Sequence, residues 1–122
     1  MKKFLEAVEK LAEECVVKVL EVSRNDDYKI IYIDKREQKS KSPFLKDWVE
    51  EHINNHLIPV DYAEGFKHFI NSEYAFKTFK YRKYIHYKMK RKMSPYEDWV
   101  ESVITLIPKN ENTFYLIIYN IE

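Results

Sequence analysis

His52 and His56 stand four residues apart beside Glu51, so a helix through this stretch would put both imidazoles on one face with a carboxylate nearby. That is part of a zinc-type donor set. A metal centre needs further clustered ligands, and the spacing supplies none, so exposed or core-edge histidines and no metal are expected. Cys15 is the only cysteine, which excludes an intrachain disulfide and a thiolate metal cluster and fits a reducing compartment. No Gly-rich phosphate loop, nucleophile elbow or His-Glu-x-x-His pattern occurs, and Gly65 is the one glycine available for any phosphate cradle. No catalytic residue can be named, and an enzyme is not expected.

A second pattern with chemical content lies between Tyr74 and Tyr96, where no carboxylate occurs. Lys77, Lys80, Arg82, Lys83, Lys88, Lys90, Arg91 and Lys92 are interleaved there with Phe76, Phe79, Tyr81, Tyr84 and Tyr87. Cations that meet phosphates and rings that stack on bases make a nucleic-acid-binding module the alternative function, using residues 76–92. The plainer reading is a half-exposed strand, with Ile85, Tyr87 and Met89 inward and the cations solvated. With 21 basic and 20 acidic residues the formal net charge is +1, so no overall field favours a polyanion, and nucleic acid is not expected as a partner.

The elements that hold these residues follow from periodicity. Phe4, Leu5, Val8, Leu11, Ala12 and Cys15 recur at helical spacing opposite Glu6, Glu9, Lys10, Glu13 and Glu14, which predicts an amphipathic N-terminal helix. Val16 to Val22 and Tyr28 to Ile33 read as strands joined by the turn residues Asn25-Asp26-Asp27. Lys35 to Ser42 is polar and expected to be a mobile loop, closed by Ser42 as helix cap and Pro43 in the first helical turn. Helices are expected from there through Ile53, from a cap at Asp61 through Phe69, and over Glu73 to Phe79. Strands follow at Arg82–Arg91, Asp98–Ile107 and Thr113–Ile121, split by turns at Met93–Tyr96 and Pro108–Asn112.

With 122 residues, 45% of them hydrophobic, the chain suits one folded domain. Two strand groups flanking a helical middle predict an α+β fold: a five-stranded antiparallel sheet with a cluster of helices on one face and the N-terminal helix outside it. The organisation expected is a helix over 1–14 and a domain over 15–122. Acidic residues interrupt any signal-peptide pattern, and no apolar run is long enough to span a bilayer, so a cytoplasmic location without membrane insertion is expected.

This order resembles the PAS fold, particularly the PAS domains that precede diguanylate cyclase or histidine kinase modules in bacterial signalling proteins. His56-Leu-Ile-Pro59-Val-Asp61 followed by a helix through Phe66 is similar to a segment of that family. So is His86 to Arg91, a turn, and then Trp99-Val100-Glu101, although Met93-Ser94-Pro95 stands where the family usually has Asp-Gly and His86 and Lys88 replace its acidic residue and arginine. The ending Tyr119-Asn120-Ile121-Glu122 resembles the segment that joins such domains to an output helix. The resemblance covers about residues 15 to 122. It implies a non-catalytic sensory, regulatory or dimerisation module linked to an effector domain beyond the C-terminus, with no particular cofactor indicated.

It also implies where a small molecule would sit. Trp48, Phe66 and Phe69 from the helices would meet Tyr87, Met89 and Trp99 from the sheet, with plain core filling as the alternative. The last two strands are apolar on both sides, so both faces of the sheet must be covered. The Phe4, Leu5, Val8, Leu11 and Ala12 stripe is the natural cover, alone or with a second chain. A homodimer formed through that helix is the expectation.

Overall fold

The computed structural model describes residues 2–34 and 42–121. Most of the expected loop over 35–42 lies outside them. In chain order the elements are α1 (Lys2–Glu14), β1 (Val17–Ser23), β2 (Tyr28–Ile33), α2 (Leu45–Asn54), α3 (Val60–Phe69), α4 (Ser72–Thr78), β3 (Ile85–Arg91), β4 (Val100–Pro108) and β5 (Thr113–Ile121). The strands form one sheet in the order β2-β1-β5-β4-β3, antiparallel throughout. Among the described residues no helix is long and apolar enough to cross a membrane.

Strand parity assigns the two faces. Leu20 and Val22, Phe114, Leu116 and Ile118, Ile104 and Leu106, and Ile85 and Met89 point to one side and meet Leu45, Trp48, Val49, Phe66, Phe69 and Ala75 from α2–α4 in the larger core. Val17, Val19 and Tyr115 point the other way and meet α1, which buries Val8 and packs Phe4, Leu11 and Ala12 beside it. The rings of Phe4 and Tyr115 stack at 4.1 Å. Strands β1 and β5 are therefore covered on both sides within one chain, and Phe4, Val8, Leu11 and Ala12 of the expected stripe pack on that same sheet.

The β1–β2 turn organises the helical layer. Asp26 adopts φ 69, a left-handed conformation that aspartate tolerates better than most side chains. From there its carbonyl accepts the Leu45 N–H at 2.7 Å, Oδ2 accepts the Lys46 N–H at 3.0 Å, and Oδ1 accepts the Ser72 hydroxyl at 2.8 Å. The cap for α2 thus comes from a hairpin remote in sequence. Ser42, expected in that role, instead donates to Asp47 Oδ2 at 2.6 Å, and Phe44 occupies the cap position. Asp61 likewise falls inside the first turn of α3, whose cap position is Pro59. Asp26→Ala should cost about 2 kcal/mol by orphaning an α2 donor and the Ser72 hydroxyl. Asp26→Asn should retain most of that stability, and urea midpoints for the two variants check the expectation.

Candidate functional site

At one end of the inner sheet face the apolar rows give way to polar side chains. Lys18 shares its side of β1 with Leu20 and Val22 and is 2% exposed, while Arg91 shares its side of β3 with Ile85 and Met89 and is 1% exposed. Between them Ser102 on β4 lies opposite Asn120 on β5. Arg91 Nε donates to Ser102 Oγ and to Asn120 Oδ1, both at 3.1 Å, and its Nη2 donates to the same Oδ1 at 2.9 Å. Ser102 Oγ also donates to that oxygen at 2.9 Å. A buried guanidinium is costly unless hydrogen-bonded, and this small network satisfies part of that demand.

The helical wall of this end is aromatic. Lys18 Nζ lies 5.5 Å from the centre of the Trp48 ring, a cation–π approach in a desolvated setting. The His52 ring packs on Trp48 at 4.1 Å, and Phe66 stands 5.9 Å from Trp48 and 6.1 Å from His52. His52 Nδ1 lies 2.7 Å from the Trp48 carbonyl oxygen. An oxygen of that kind only accepts, so Nδ1 carries the proton and Nε2 is left as an acceptor in the neutral ring.

Desolvation, then the Lys18 charge and more weakly that of Arg91, push the His52 pKa down to about 3 against the opposing hydrogen bond to Trp48. The unfolded chain therefore takes up this proton near pH 6.5 while the folded chain refuses it. Stability from this group is present above about pH 6.5 and is lost as the pH falls. A fully shielded ring would give ~1.4 kcal/mol per pH unit; the imidazole is only half-buried, so we expect about half of that. Urea denaturation at pH 7 and pH 5 should show a drop roughly 1 kcal/mol larger in the parent than in His52→Phe; equal drops would contradict the assignment.

His56 does not join His52. Helix α2 ends at Asn54, and the chain turns out through His56 at φ 59, so the shared helical face never forms. Among the described residues no group of three or more His, Cys, Asp or Glu side chains clusters as metal ligands.

Of the six residues expected around a ligand, the structure brings five together. Trp48, Phe66, Phe69 and Met89 are buried in the inner core, with Tyr87 packed against it. Tyr87 stacks on Phe69 at 5.1 Å, and its hydroxyl fills the space a side chain on residue 65 would take, since a Cβ there would stand 2.5 Å from Tyr87 Oη. The single glycine serves this close approach. Burial raises the pKa of the Tyr87 hydroxyl, with Tyr62 adding to the effect. Trp99 is the exception. It precedes β4, is 42% exposed and lies under Lys92 Nζ at 4.8 Å, away from the inner core. The expected dimer residues Phe4, Leu5, Val8, Leu11 and Ala12 all lie on α1, where Val8 is buried and the other four are half-buried.

Sequence reasoning missed Lys18, Arg91, Ser102 and Asn120, although each shares strand parity with apolar neighbours that were placed in the core.

The chain matches no family model, and no curated protein or solved structure is significantly similar to it.

Proposed function

We propose that this chain is a PAS-like sensory or regulatory module that holds a small molecule between α2–α3 and the inner face of the sheet and carries out no reaction on it. One observation carries the reading: buried Lys18, Arg91 and Ser102, with half-buried Asn120 beside them, interrupt an otherwise apolar layer at one end, against Trp48 and His52. A core built for stability alone gains little from buried cations, which are often replaceable by apolar side chains at no cost. Recognition of a polar molecule does need them. The connectivity is in keeping with the PAS-like resemblance, because a hairpin, a helical crossover and a three-stranded meander share one sheet. No nucleophile paired with a base can be assembled among the described residues at this end, and the neutral His52 is a poor proton carrier near pH 7. The reading gives α1 a structural role, with dimerisation no longer needed to cover the sheet.

A thermal-shift screen of small carboxylates, phosphates and aromatic metabolites tests the proposal. A ligand present at about 100 times its Kd should add ~2.7 kcal/mol of stability. That gain should vanish in Arg91→Met/Asn120→Leu. A screen with no stabilising compound, or stabilisation that survives in the double variant, would count against the reading.

A further inference from the structure

Strand β3 is an edge of the sheet, and its outward side carries a row of basic side chains with two lysines in it. His86, Lys88 and Lys90 point away from the inner core, opposite Thr105, Val103 and Glu101 of β4. No ion pair joins Lys83, Lys88, Lys90 or Lys92 to a carboxylate among the described residues. Helix α1 covers the other end of this sheet face, over β1, β2 and β5, so the row stays exposed.

Rings flank the row at both ends. Before the strand, Tyr81 is 88% and Tyr84 52% exposed. The Tyr84 ring lies 4.6 Å from that of His86, whose Nδ1 is fixed at 2.8 Å from Thr105 Oγ1. Beyond the strand, Lys92 sits over the 42% exposed Trp99. Large aromatic rings this exposed, on a structured surface, keep much of their flat area in water, and Lys88 and Lys90 beside them are paired with no carboxylate among the described residues.

We infer that this edge of the sheet binds single-stranded nucleic acid, with Lys88, Lys90 and Lys92 following the phosphates and Tyr84 and Trp99 stacking on bases. The inference does not depend on the small-molecule reading, since it uses the opposite side of β3. The exposed rings favour one strand over two. Alternate strand residues stand ~6.6 Å apart, close to the step between successive phosphates of a nucleic-acid backbone, and the open rings then select a single strand, whose base faces are free to stack while those of a duplex are paired and buried in its own stack. The rings favour nucleic acid over an acidic peptide, because carboxylates would use the lysines and leave the rings without a role. The near-neutral total charge limits long-range attraction to this face, so binding should be local and weakened by salt. Glu101, opposite Lys90, trims the field without interrupting the row.

The test is fluorescence anisotropy of labelled 12-nucleotide oligo-U and oligo-dT with the full chain from 50 to 200 mM salt. Three phosphate contacts would give a slope of log K against log salt of about −2. Lys88→Glu/Lys90→Glu should weaken binding at least ~10-fold, and Trp99→Ala or Tyr84→Ala by roughly 5- to 150-fold for a lost stack. Lys3→Glu/Lys10→Glu changes the net charge equally on α1 and should bind as the parent does. If Lys88→Glu/Lys90→Glu unfolds, the exposed Trp99 and Tyr84 positions decide. Absence of salt-dependent binding overturns the inference, as does equal loss in Lys3→Glu/Lys10→Glu. So does a 12-base-pair duplex, an oligoglutamate peptide or a phosphatidylserine vesicle bound as tightly as the single strands. The ratio of oligo-U to oligo-dT affinity separates RNA from DNA.

Discussion

Trp48→Ala should be the most damaging single substitution in the chain, lowering stability by ~3–5 kcal/mol, because its indole is 1% exposed and fills the centre of the inner layer. The loss has a second, distinguishable signature. His52 and Phe66 both pack on this ring, and the void would admit water beside an imidazole now held neutral largely by desolvation. The His52 pKa should therefore climb from about 3 towards its ordinary 6.5. Urea denaturation measures the first effect and a histidine NMR titration the second. A stability change below ~1 kcal/mol would mean that Trp48 does not bear the weight this packing assigns it.

Arg91→Ala is expected to cost ~2–4 kcal/mol. Part is the cavity left by a long buried stem, and part is the loss of the donor that serves Asn120 and Ser102. The informative comparison is Arg91→Met/Asn120→Leu, which replaces most of the network by apolar volume and should recover at least half of the loss. If the double variant is as unstable as Arg91→Ala, the network is itself a source of stability, and the argument that it exists for recognition fails.

Much of the architecture was legible because burial imposes period. The α1 stripe repeats at helical spacing, and the two apolar sides of β5 demanded cover on both faces, which α2–α4 and α1 provide. Whether one chain or two provides the outer cover stayed open in the sequence, because surface area needing burial can be counted from residue types, whereas the docking of α1 against β1 and β5 depends on the three-dimensional fold. Strand ends were misread for a local reason. The stretch from Arg82 looked extended, yet β3 begins only at Ile85, since in the β3–β4 register the residue two positions earlier would face Pro108, which has no N–H to offer. The expected strand Asp98–Ile107 includes Trp99, which the PAS-like pattern would place at its opening, while the ladder starts at Val100. The α2 cap could not be read locally, because Asp26 and Lys46 meet only once the hairpin and the helix have docked.

The polar end of the inner layer is the more instructive omission. Lys18, Arg91, Ser102 and Asn120 each share alternation with residues correctly placed in the core. Charge type outweighed parity in the reading of Arg91, which was grouped with the solvated lysines of the same strand. Parity was the better guide.

The central claim is that a small molecule is held in the inner layer beside Trp48, and the two tryptophans allow it to be tested directly. Their indole N–H signals can be assigned in a 1H–15N correlation spectrum by comparison with Trp99→Phe, which leaves Trp48 alone. For any compound that raises the melting temperature, the Trp48 signal should shift saturably at the concentration that stabilises the fold, with little change at Trp99. A stabilising compound that moves the Trp99 signal and leaves Trp48 untouched would contradict it.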